Sequence, residues 1–203
     1  MCLETNADGV RGGIPEALKG RDVCIAFSGG SIIKAQWVSA MASQAIVFAC
    51  ANPIPEIWPW EAKEAGAKIM ATGRSDFPNQ VNNSLVFPGL FRGALDIRAR
   101  TITDDMAMAA AHELAYYARE RGIHEDSILP TMDEWEVYPR VAVATALQAQ
   151  KQGIATLNKS REQLHTEATH LIAQARDATQ VLMKERLIAP MPETDAIPFP
   201  SPI

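Results

Sequence analysis

Thr72-Gly73-Arg74-Ser75-Asp76-Phe77-Pro78-Asn79-Gln80-Val81-Asn82-Asn83 decides the reading of this chain. It follows Ile69-Met70-Ala71, an apolar run of buried-strand type, and precedes Phe87-Pro88-Gly89, which reads as a turn into a helix. An amide-rich polar loop after a parallel strand is where open α/β sheets bind ligands, because the loops beyond the carboxyl ends converge there. Asparagine offers a donor and an acceptor without a charge. Paired Asn side chains can therefore hold a small carboxylate or hydroxyl compound in one pose.

Upstream of that loop, short apolar runs at 22–27 (DVCIAF), 45–51 (AIVFACA) and 68–72 read as strands. Helices fit between and around them, at 14–19 up to Gly20, at 34–41, and at 60–65 closed by Gly66. Strands alternating with helices indicate right-handed crossovers and a parallel sheet. Downstream of Asn83 the pattern is helical. Residues 104–121 carry an apolar stripe, with Thr103 placed as N-cap, Asp104 and Asp105 in the first turn, and Gly122 at the end. Residues 139–152 form a second helix, with Pro139 at its start and Gly153 after it. Ser160-Arg161-Glu162-Gln163 is a capping box that opens a helix running to about 187. Its Leu164, Ala168, Leu171, Ala175, Ala178 and Leu182 make a short heptad seam. That predicts packing on its own domain or on a partner subunit rather than a free coiled coil. The expected fold class is α/β: a partial Rossmann-like, doubly wound parallel sheet followed by a helical C-terminal region. Residues 1–13 read as a loosely held leader, 14–157 as the domain, 158–189 as the long helix, and 190–203, with five prolines, as a Pro-rich tail.

The bulk properties exclude several classes. The 203 residues, 47% hydrophobic, suit one domain with a real core. A net charge of −5 argues against a nucleic-acid surface. No window approaches the ~18 apolar residues of a membrane span, and the N-terminus lacks the regions of a signal peptide. Three cysteines without a CxxC pair indicate a cytoplasmic protein, with Cys24 and Cys50 as buried thiols. The four histidines have no metal-ligand spacing. His112-Glu113 begins like a zinc-protease motif, but Tyr116 stands where the second His is needed. Arg74 and Asp76 read as loop struts, Glu56 as a charge in the first turn of a helix, and Tyr116-Tyr117 as core or interface residues. Ser28-Gly29-Gly30 after the first strand suits close approach of a cofactor's ribose or phosphate; the plainer alternative is a strand-to-helix turn.

Three motifs in order carry a family resemblance: Ala51-Asn52-Pro53-Ile54-Pro55-Glu56, then Ala71 through Asn83, then Phe87-Pro88-Gly89-Leu90-Phe91-Arg92-Gly93-Ala94-Leu95-Asp96. Together they resemble the C-terminal part of the NAD(P)-binding domain of malic enzymes, nearest to the short prokaryotic type. The resemblance spans roughly residues 20–188 and is dense from 48 to 99. It implies oxidative decarboxylation of malate to pyruvate and CO2 in the complete enzyme, with NAD or NADP and a divalent metal, Mg2+ or Mn2+. It implies that Asn52 and Asn82 reach malate, with Asn83 beside Asn82, and that Ser28, Gly29 and Asn52 contact the cofactor. The family's turn here is Ser-Ala/Gly-Pro-Gly, whereas this chain has Ser28-Gly29-Gly30-Ser31.

The chain has no G-x-G-x-x-G. In the family that turn lies upstream of the matched segment, as do the general-acid Tyr, the general-base Lys and the metal-binding carboxylates. The resemblance therefore assigns no catalytic residue and no metal ligand to this chain, and makes a missing N-terminal catalytic half its partner. A truncated frame, one product of a split gene and an excised piece all fit. Two other readings stay open: a non-catalytic remnant that binds a partner chain or oligomerises, and a fragment of a malolactic enzyme. The expected partners are malate or pyruvate and further copies of the chain as a homo-oligomer, with no nucleic acid and no membrane.

Overall fold

The structure is a computed structural model that describes residues 2–189; the Pro-rich tail reading falls on residues outside that range. Three parallel strands, β1 (Val23–Ala26), β2 (Ile46–Ala49) and β3 (Ile69–Thr72), form a sheet in the order β1-β2-β3. Val23 is in register with Ile46 and Ile46 with Ile69; at the other end, Ala26 pairs with Ala49 and Ala49 with Thr72. All three strands thus stop at one level, and the loops that follow them share one edge.

The helices of this half, in chain order, are α1 (Cys2–Thr5), α2 (Ile14–Leu18), α3 (Ala35–Val38) and α4 (Pro59–Glu64). Leu18, Val38 and Ala62 pack with Cys24, Val47 and Met70 into one core. Within the leader the backbone closes a local turn. Asn6 donates to the Val10 carbonyl at 2.8 Å and accepts the Val10 N–H at 3.0 Å. An Asn side chain can close a local turn in this way without help from a sheet or core.

β1 is covered on one side only. Side chains alternate along a strand, so Val23, Ile25 and Phe27 share a face. They are 46%, 62% and 78% exposed. Parallel sheets are normally covered on both faces, so this row is an unfinished surface.

The second half consists of α5 (Phe87–Asp96), α6 (Asp104–Arg121), α7 (Val137–Lys151) and α8 (Arg161–Lys184). α7 touches each of the other three. Gly89 and Gly93, one turn apart on α5, let α7 approach closely. A Cβ on Gly93 would lie 2.3 Å from the Ala142 carbonyl oxygen, and one on Gly89 2.7 Å from Val141 Cβ. The helix ends follow local chemistry. Thr103 Oγ1 accepts the Met106 N–H at 3.3 Å. Ser160 and Gln163 bond reciprocally, each side chain to the other's backbone N–H, at 3.2 and 2.9 Å. α7 starts at Val137, two residues before Pro139. A proline in the first turn still costs nothing there, because first-turn N–H groups have no partner inside the helix.

The α8 seam departs from expectation. Leu164 and Ala168 are buried, but Leu171 and Leu182 are 42% and 39% exposed. Further along α8, Ile172 and Ala173 are half-buried and Arg176 lies over the Trp135 ring. The start of the seam, Leu164 and Ala168, is thus packed on its own domain, and its outer part is not. No helix among the described residues is long and apolar enough to cross a membrane.

Candidate functional site

A cleft of about 570 Å³ opens at the carboxyl edge of the sheet. Asn52, from the loop after β2, and Gly73, Asn82 and Asn83, from the loop after β3, line it together with Phe27 and Cys50. Leu114 of α6 and Leu129 close the helical side. Asn52 and Asn82, which the resemblance pairs on one ligand, thus share one cavity.

The Asn82 amide has a defined orientation. Its Oδ1 accepts the Ser84 backbone N–H at 3.0 Å and the Ser84 hydroxyl at 2.7 Å, as N-cap of the 3-10 turn Asn83–Leu85. A backbone N–H can only donate, so the oxygen must face Ser84 and the Nδ2 amide is left as a donor. Asn83 is exposed and Asn82 half-buried. Neither amide is buried, and both line the cleft.

Asn52 is exposed and lies against Gly73, where a Cβ would come within 3.2 Å of its Nδ2. Any larger residue at Gly73 would push that amide away. The Asn52–Pro53 peptide is cis. Arg74 and Asp76 are struts, as read from sequence. Arg74 grips Asp76 through two bonds of 2.8 and 2.7 Å, donates to the Pro53 carbonyl at 3.0 Å, and lies over the Trp58 ring. That bonding holds the Asp76 carboxyl below its usual pKa.

Two residues carry more than their sequence context suggests. Asn79 is buried with φ +56°, donating to Met70 O and Glu125 O at 3.1 and 2.8 Å and accepting the Ile128 N–H at 2.9 Å. It ties the base of the amide loop to β3 and to the segment after α6. Glu56 corrects the expectation of a first-turn helix charge. It precedes α4 by three residues and is 0% exposed. Its Oε1 accepts the Ser28 N–H at 2.6 Å and the Ser28 hydroxyl at 3.1 Å, and its Oε2 accepts the Ala51 N–H at 3.0 Å. One carboxyl group thereby joins the ends of β1 and β2. The Pro53-Ile54-Pro55 segment before it was the available signal: two prolines suppress an early helix start and fold the chain back under the strand ends. Burial, and secondarily Glu56, push the Cys50 and Cys24 thiols above their usual pKa, so neither is primed as a nucleophile.

Ser28 and Gly29 are exposed at the end of β1. Gly30 packs against Ile54, where a Cβ would approach to 2.7 Å. Close packing within the chain accounts for that glycine. His165 and His170 are exposed on α8, as read from sequence. A second cleft, of about 550 Å³, lies between α6, α7 and the start of α8 around Arg140, Arg161 and His165. Its Arg140 is already committed to Glu113 and Glu120 at 2.6 and 2.5 Å.

A short parallel sheet with a polar cleft beyond its carboxyl edge belongs to the open α/β class, in which that crevice is the usual place for a ligand. Residues 26–151 match the family model "Malic enzyme, NAD binding domain", and the chain belongs to that family. It is 42% identical over 160 residues to the bifunctional malic/malolactic enzyme of Bacillus subtilis, covering 79% of this chain and 39% of that protein. It is 46% identical over 151 residues to the NAD-dependent malic enzyme of Geobacillus stearothermophilus, covering 74% and 31%. Among solved structures, the Entamoeba histolytica malic enzyme superposes with a TM-score of 0.87 at 50% identity, over 90% of this chain and 38% of that one. The Pyrococcus horikoshii malic enzyme gives 0.82 at 48%, over 89% and 42%. The chain spans roughly a third to two fifths of the length of these relatives.

Proposed function

We propose that this chain forms the substrate- and cofactor-facing wall of an enzyme that oxidises malate with NAD or NADP and decarboxylates the product to pyruvate and CO2. The observation that carries the reading is the convergence of Asn52, Asn82 and Asn83 on one cleft at the sheet edge. We place Ser28 and Gly29, on the same edge, against the cofactor.

A bound nicotinamide would take the hydride of malate C2, and a base would take the proton of its hydroxyl. The resulting β-keto acid loses CO2, and the enol is protonated. Neutral amides neither take that proton nor supply one. Their work is orientation: Asn82 Nδ2 and the Asn52 amide hold malate in one pose, which alone can contribute several kcal/mol. A divalent metal, Mg2+ or Mn2+, would polarise the C2 oxygen as a Lewis acid. Among the described residues no three His, Cys, Asp or Glu side chains form a metal-binding group, so no step is assigned to a metal on this chain. We assign the proton-transfer groups and metal ligands to an N-terminal half, and place that half on the uncovered row Val23, Ile25 and Phe27 of β1. The name of the Bacillus relative supports malolactic turnover as a second reading.

Asn82→Ala in the completed enzyme is expected to lower kcat/KM for malate about tenfold and to leave cofactor affinity nearly unchanged. The lost neutral hydrogen bond accounts for roughly 0.5–1.5 kcal/mol. Steady-state kinetics with both ligands varied check this, and an unaltered kcat/KM for malate rejects the role. We also place a second copy of the chain against the outer part of α8, whose Leu171, Val181 and Leu182 are exposed. Sedimentation at tens of micromolar is expected to give a dimer or larger; a clean monomer counts against it. With Cys24 and Cys50 as free thiols, we assign the protein to the cytoplasm.

A further inference from the structure

We propose that Ser84 is a positioning residue, whose hydroxyl acts through Asn82 by fixing the amide plane that faces the cleft. The proposal rests on the reading above, in which Asn82 meets the substrate, and deepens it. Asn82, Asn83, Leu85 and Val86 line the cleft, whereas Ser84 does not. The torsion that turns an Asn amide about its Cβ–Cγ bond has only broad preferences. A single bond from the Ser84 backbone N–H, at 3.0 Å, leaves the amide free to swing about that contact. The Ser84 hydroxyl adds a second donor on the same oxygen, at 2.7 Å. An amide oxygen has two acceptor positions. Oδ1 is therefore saturated, and two contacts rather than one set the amide plane.

The hydroxyl is committed to this task. It has one proton, and the other acceptor within its reach among the described residues is Met132 Sδ, at 3.5 Å. A thioether is a weak acceptor, so the proton points at Asn82 Oδ1. Nothing among the described residues accepts from Asn82 Nδ2, whose two N–H groups remain for a carboxylate or carbonyl oxygen in the cleft. The other two amides of the cleft have no comparable hold: among the described residues no hydrogen bond ends on the Asn52 or Asn83 side chain. Of the three, Asn82 is the one oriented before a ligand arrives, and Ser84 supplies both contacts that orient it. An orientation set in advance lowers the entropy lost on binding. The backbone separates this role from a merely structural one. The N-cap bond from the Ser84 N–H closes the 3-10 turn Asn83–Leu85 without the hydroxyl.

The experiment uses the full ¹⁵N-labelled chain and follows the side-chain Nδ2–H2 signals of Asn82, assigned by their loss in Asn82→Asp. The ¹⁵N heteronuclear NOE reads the fast motion of that group, and the exposed Asn83 side chain is the internal reference for a free amide. Asn82 is expected to be rigid in the parent, to approach the mobility of Asn83 in Ser84→Ala, and to be rigid again in Ser84→Thr, which keeps the hydroxyl. The backbone signals of the 3-10 turn are expected to persist in all three. Malate at millimolar concentration is the ligand probe. Its affinity, read from the Asn82 Nδ2–H2 shifts, is expected to fall about three- to tenfold in Ser84→Ala and to return in Ser84→Thr. Equal side-chain mobility in the parent and Ser84→Ala overturns the proposal. So does a malate affinity that Ser84→Ala leaves unchanged or Ser84→Thr does not restore. Loss of the turn's backbone signals in Ser84→Ala overturns it too, by assigning the hydroxyl a structural role. A parent in which malate moves no signal of Asn52 or Asn82 rejects the substrate reading instead, while the mobility comparison still decides whether Ser84 fixes the amide.

Discussion

Purified on its own, the 203-residue chain is expected to produce no change in nicotinamide absorbance with malate, NAD or NADP, and Mn2+. The physical case is an inventory of what the cleft contains. Its polar lining is asparagine, glycine and a thiol held protonated by burial. None of these accepts the C2 hydroxyl proton at neutral pH. Without a positioned base, general catalysis loses about 10²–10⁴-fold. Without a Gly-rich turn on a helix N-terminus, the pyrophosphate of the dinucleotide lacks its main anchor. These deficits multiply, so the expected rate lies below detection. Activity should return when a separately expressed N-terminal half of a malic enzyme relative is added, because the row Val23, Ile25 and Phe27 leaves the β1 side open for it. Turnover by the isolated chain would mean that Arg74, Asp76 or His112 takes part in chemistry. Failure of the mixture to turn over while the two halves co-sediment would count against the malate reading itself.

Replacing Glu56 by Ala is expected to destabilise the chain by about 2–4 kcal/mol, read from the midpoint of urea denaturation. Three hydrogen bonds end on this carboxyl group. The two from Ser28 can be replaced by water, because Ser28 is exposed, but Ala51 is buried and its N–H is left unmade. An orphaned buried donor costs about 1–3 kcal/mol, and the vacated volume adds to it. Native domains have only about 5–15 kcal/mol in total, so the shift is large. Magnitude separates the two descriptions of Glu56. A charge in a helix first turn is typically worth only about 0.3–1 kcal/mol, whereas a clamp between two strand ends costs several times that. Glu61→Ala is the internal control. Glu61 caps α4 through the Trp58 N–H at 3.1 Å, and its loss should stay near 1 kcal/mol. A Glu56→Ala loss no larger than that control would show that the clamp does not form in solution.

Much of the fold was legible from local rules. The three strands were visible because parallel strands are apolar on both faces and read as continuous runs. Val23–Ala26, Ile46–Ala49 and Ile69–Thr72 fall inside the segments read from composition alone. Thr103 and Ser160 marked helix starts because capping is settled within four residues. The amide loop pointed to a ligand edge because the carboxyl ends of parallel strands converge.

Other features depend on atoms brought together from distant parts of the chain. Glu56 meets Ser28 across 28 positions, and Asn79 meets Ile128 across 49. No local pattern distinguishes such a Glu or Asn from a solvated turn residue. The heptad spacing of α8 was legible, yet spacing cannot say how far the neighbouring surface extends, and α7 and α5 cover only Leu164 and Ala168. The pairing of Asn82 with Ser84, which turns its donor outward, likewise became visible only with the backbone in place. From its residues alone this chain determined its strand and helix content, its cap positions and the edge at which its amide side chains gather, since each is decided by a few neighbouring side chains. The tertiary structure decided which buried carboxyl group holds that edge, which amides share the cleft and which faces stay bare, because each is a matter of contact between segments that the sequence keeps apart.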